Sequence, residues 1–182
     1  MRNRINRFAG LALGLMAVTL LLSACTQSTK SSAAAEAQKK FQGLISMDND
    51  RKVLHAKTRQ CQDKLIKTIG AVGKRDLSAV DKAKIRQLIA EYNEANFAEL
   101  MTSKELVDKA TTYLTFLKEL ASELTSEECD SLTLNYRKLL LSVIKDLKEL
   151  DDADGIINSF LRPRGLDLPA TDKEFHSSAL NI

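Results

Sequence analysis

Of the 182 residues, 44% are apolar, 28% charged and 5% aromatic, with no Trp, 7 Gly and 2 Pro. So much apolar residue with so little Gly and Pro excludes collagen-like, low-complexity and wholly disordered chains, and the scarcity of turn residues argues against an all-β sandwich or barrel. One all-α domain is expected at this length. The formal charge of +3 comes from Arg2, Arg4 and Arg7. Without residues 1–24 the chain carries 24 Lys and Arg against 24 Asp and Glu, so net charge gives no support to a nucleic-acid partner.

The three arginines precede a stretch without charge from Phe8 to Ala24, and the first acid is Glu36. A basic segment followed by about 17 uncharged residues has the form of an export signal and is short for a membrane span. Leu22, Ser23, Ala24 and Cys25 follow in order. This run resembles the lipobox of bacterial lipoproteins. The resemblance covers residues 1–25 and implies that residues 1–24 are removed, that the Cys25 thiol is the lipid attachment site, and that the acyl chains anchor the protein stably. In that family an Asp after the Cys commonly marks inner-membrane retention. Here it is Thr26, which implies an outer-membrane address facing the periplasm.

Residues 25–35 read as the acylated Cys and a flexible tether, whose ten residues after Cys25 reach roughly 17 Å. A bundle is expected over 36–162. A short helical stretch through Phe41, Leu44 and Ile45 is expected to stop at Asp48, Asn49 and Asp50. That trio lacks the Gly and distal Glu of a calcium loop, so it reads as a turn or helix cap.

Four main helices are expected beyond it, packed as an antiparallel bundle. The first carries Leu54, Cys61, Leu65, Ile69 and Val72 on one face and exits at Gly70 and Gly73. Ser78 with Asp81 forms a near capping box for the second, which is expected to bury Ile85, Leu88, Ile89, Tyr92, Ala95 and the cluster from Phe97 to Met101. Thr102 with Glu105 would cap the third and Thr125 with Glu128 the fourth. The fourth is expected to break at Asp151, Asp152, Asp154 and Gly155, with a short helix after it ended by Pro163. Residues 163–182 read as an irregular tail whose Leu166, Leu168, Phe175 and Leu180 could lie in a groove of the bundle.

Cys61 and Cys129 remain once Cys25 carries lipid, and an even pair in an exported protein is expected to form a disulfide, two buried free thiols being the alternative. His55 and His176 make no convincing metal set with them, and His55 stands on a different helix face from Cys61. No phosphate loop, serine elbow, histidine pair at helix spacing or zincin motif is present. The sequence therefore names no catalytic residue, metal site, cofactor or small-molecule substrate.

Two functions fit an anchored helical bundle. One is an adaptor or assembly factor for another envelope protein, similar in architecture and anchoring to the pilotins of secretin rings. The other is an immunity, exclusion or inhibitor lipoprotein. An adaptor for a partner peptide should expose an apolar groove, an inhibitor one concentrated charge patch.

Overall fold

A computed structural model describes residues 31–168. They form three long helices, α1 (Ser32–Val72), α2 (Ala79–Glu119) and α3 (Ser126–Leu161), and a 3-10 turn at Arg162–Arg164. The bundle thus has three main helices where four were expected. At 1.5 Å per residue, the 41 residues of α1 extend about 61 Å.

The reason for three helices lies in an unbroken heptad. On α1 the positions 37, 41, 44, 48, 51, 55, 58, 62, 65, 69 and 72 follow one another in alternating steps of four and three. On α2 the same alternation runs from Ile85 through Tyr92, Glu99, Leu106 and Tyr113 to Leu117. Such a repeat keeps one seam facing its neighbours along the whole helix. Asp48 does not end α1 because it lies on that seam, with its carboxylate held by Arg51 and Lys52. Thr102 does not start a helix: its hydroxyl donates to the Ala98 carbonyl (3.0 Å), one turn back inside α2. On α3 the seam runs 132, 136, 139, 143, 147, 150, 154, 157 and 161, with two successive steps of four at Val143. Such a stutter locally unwinds the supercoil. The helix then runs straight through Asp151, Asp152, Asp154 and Gly155. A Cβ at Gly155 would meet nothing within 4 Å, so this glycine fills no tight contact.

The true boundaries carry strong local signals. Ser78 accepts from the Asp81 amide (3.1 Å) while the Asp81 carboxylate accepts from the Ser78 amide (3.1 Å), a complete capping box. Thr125 and Glu128 form the second. At the other end of α1, Gly73 takes φ +61°, which a side chain would strain, and its amide closes on the Ile69 carbonyl. Helix α1 starts at Ser32, so the segment expected to be a tether loses residues 32–35 to the helix.

Two apolar cores lie along the bundle. One joins Phe41, Leu44, Leu106, Tyr113, Leu117, Tyr136 and Val143. Its centre is aromatic, with Phe41, Phe116 and Tyr136 all within 6.5 Å of the Tyr113 ring centroid. The other joins Cys61, Leu65, Ile85, Tyr92, Ile157 and Leu161, and is closed by Leu166 and Leu168. The start of the tail therefore covers the core, as expected. Phe175 and Leu180 lie outside the described residues.

Candidate functional site

Between the two apolar cores the heptad seam is polar. Asp48, Arg51, Thr58, Gln62, Asn96, Glu99, Ser103 and Asp154 are all buried. Side chains of this kind cost several kcal/mol each to desolvate unless they are paired, and most of them are. Arg51 is wholly enclosed and bridges α1 to α3: Nε donates to Asp48 Oδ1 (2.9 Å) and Nη2 to Asp146 Oδ2 (2.7 Å). One turn on, His55 Nδ1 donates to Glu99 Oε1 (2.8 Å), joining α1 to α2. Further along, Gln62 Nε2 donates to Asp154 Oδ1 (3.0 Å) and to the Leu150 carbonyl (3.1 Å), and the Tyr92 hydroxyl donates to Asp154 (2.7 Å). All three helices are thus tied at two levels.

The register follows from two independent contacts. Phe41 faces Tyr113 and His55 faces Glu99, so the antiparallel pairing sets Ser103 level with Arg51. At this level three buried atoms, Arg51 Nη1, Glu99 Oε2 and Ser103 Oγ, have no hydrogen-bond partner among the described residues. The hydrogen bond with Glu99 raises the His55 pKa, burial opposes it, and the charges of Glu99 and Asp146 add to the rise against Arg51. Burial beside the Asp154 carboxylate pushes the Tyr92 hydroxyl far above its ordinary range. Tyr92 therefore stays a donor, and both it and Gln62 donate to Asp154.

Chemically, this band orients helices. Arg51, His55 and Gln62 on α1 each meet an acid of another helix, Asp146, Glu99 and Asp154, so sliding a helix by a turn would break these pairs and strand buried charge. The sequence reading missed these residues because it followed apolar identity, which also placed Phe97 and Met101 in the core, whereas both lie off the seam and are exposed. Counted by position, the steps of three and four from Phe41 to Leu65 would have revealed Asp48, Arg51, His55, Thr58 and Gln62 on the same seam.

The expected disulfide is corrected. Cys61 and Cys129 are both free, the first buried in the core and the second at the start of α3. Gln62, next to Cys61, bonds at Leu150, which stands 21 residues beyond Cys129, about 30 Å along α3. A disulfide requires Cα atoms within about 7 Å. Cys25 lies outside the described residues. Among the described residues no group of three or more His, Cys, Asp or Glu is arranged to hold a metal, and no helix is long and apolar enough to cross a membrane.

The surface offers an open groove between α1 and α2, lined by Met47, Val53, Leu54, Thr102, Glu105 and Lys109. Val53 within it is 71% exposed. No known protein family, curated protein or solved structure matches the chain.

Proposed function

We propose that the chain is a lipid-anchored, non-catalytic helical adaptor or assembly factor of the outer membrane, facing the periplasm and pilotin-like in its manner of working. One observation carries this reading. Only the six residues 26–31 separate Cys25, the lipid site implied by the lipobox, from a continuous α1 about 61 Å long. Six residues span at most about 20 Å, so the tether is short and the helices supply the reach. A rigid stalk suits a protein that holds or delivers an envelope partner. Non-catalytic action is supported by the enclosure of the strongest polar groups: Arg51 and Glu99 are wholly buried and engaged with other helices. The groove at Met47, Val53 and Leu54 supplies the apolar surface expected of an adaptor.

A second reading, an immunity, exclusion or inhibitor lipoprotein, is favoured by a concentration of basic side chains at one end of the bundle. Cross-linking in intact cells, followed by purification of the chain and mass spectrometry, separates the two. An adaptor yields an endogenous envelope protein in every culture. Recovery of a partner only when a foreign toxin or conjugating cell is present would replace it with the inhibitor reading.

A further inference from the structure

The chain without residues 1–24 has balanced charge, yet the bundle separates its charges along its length. At the end formed by residues 66–88 and 155–168 there are eight basic side chains against three acidic ones. These segments are one surface, since Arg164 Nη2 donates to the Gly73 carbonyl (3.4 Å) across the gap between α3 and the α1–α2 turn. Two of the three acids are already engaged, Asp81 by Arg75 and Asp167 by Arg162. Lys67, Lys74, Lys82, Lys84 and Arg86 have no acidic partner among the described residues. At the opposite end, Lys118–Asp130 carries Glu119, Glu123, Glu127, Glu128 and Asp130 against Lys118 alone.

We infer that the basic end is a docking face for an acidic protein surface. The charges sit at fixed positions on helix ends, held by the Ser78 capping box, the Gly73 turn and the Arg164 contact. Basic side chains spread over two helix ends and a turn suit a complementary folded surface, whereas polybasic lipid-binding segments gather their Lys and Arg beside a membrane helix or along one amphipathic helix. The inference rests on the binding-protein reading above, and the anchor favours a foreign partner over a second copy. Helix α1 starts at the acidic end, so acylation of Cys25 would keep that end within about 20 Å of the bilayer. The acidic end of a neighbouring copy would be held there too, and is disfavoured as the occupant of the basic end.

The test uses the full chain in a non-ionic detergent and a fluorescent poly-glutamate peptide as probe. Binding should be saturable, weaken steeply with added salt, and fall about tenfold or more in Lys82→Glu/Lys84→Glu. The variant Lys57→Glu/Lys138→Glu, with the same net charge but altered exposed positions away from this end, should bind as wild type. Equal loss in both variants, or no binding at all, would overturn the proposal. So would binding only to phosphatidylglycerol vesicles, or self-association that depends on Lys82 and Lys84. Repeating the titration with Cys25→Ser keeps the two claims apart, because peptide binding does not require the lipid.

Discussion

His55 on α1 donates to Glu99 on α2 at 2.8 Å, and Glu99 is wholly buried. With the His55 pKa raised above its ordinary value near 6.5, the charged pair forms in the folded state at a pH where free histidine is already neutral. The stabilisation is complete below the unfolded pKa and is lost as pH rises through the folded one. The urea midpoint of the full chain in detergent should therefore fall between pH 6 and pH 8.5. In His55→Gln that part of the slope should vanish. An unchanged slope in the variant would remove His55 as its source.

Arg51 holds Asp48 and Asp146 from the centre of the bundle. Arg51→Ala leaves Asp146 without its cation and Asp48 with Lys52 alone, and should cost about 3 kcal/mol in chemical denaturation. The triple variant Arg51→Met/Asp48→Leu/Asp146→Leu should recover most of that loss, because it removes the charges together. It should also loosen the helix register, read as broadened amide resonances around Glu99 and Ser103.

The two threonines that look alike in sequence differ in the fold. Thr125 accepts from the Glu128 amide at a helix start, whereas the Thr102 hydroxyl turns back to Ala98 within α2. Thr125→Ala should lower stability by about 1 kcal/mol, and Thr102→Ala should change it by less than about 0.5 kcal/mol. Thermal melts of the two variants side by side measure the difference.

Much of this architecture is legible in the sequence, and the gaps have one cause. The capping signals at Ser78 and Thr125, the exit at Gly73 and the stop before Pro163 mark real boundaries, since each depends on a few neighbouring residues. The signals at Asp48, Thr102 and Asp151 fail because capping chemistry is also ordinary helix-surface or seam chemistry when the neighbouring helices supply partners. Asp154 gains its partners Gln62 and Tyr92 from 92 and 62 positions away, and Asp48 is held by Arg51 three positions on, which is itself fixed by Asp146, 95 positions further along the chain; local patterns cannot show those distant contacts. The disulfide expectation fails similarly: counting thiols says nothing of which end of a long bundle holds each one.

The separation of the thiols has its own consequence. Alkylation of the native, oxidised protein should modify Cys129 quickly and the buried Cys61 only on unfolding, with mass spectrometry locating the adducts. Cys129→Ser should leave the melting temperature nearly unchanged. A reduction-sensitive intramolecular link between Cys61 and Cys129 would contradict the fold.

The reading of the protein as a stalk held at a membrane depends on Cys25. Metabolic labelling with a fatty-acid analogue, followed by membrane fractionation of wild type and Cys25→Ser, tests it most directly. Wild type should carry label and sediment with the outer membrane, while Cys25→Ser should lose the label and leave the membrane fraction wherever it is exported. Undiminished labelling of Cys25→Ser would contradict the account.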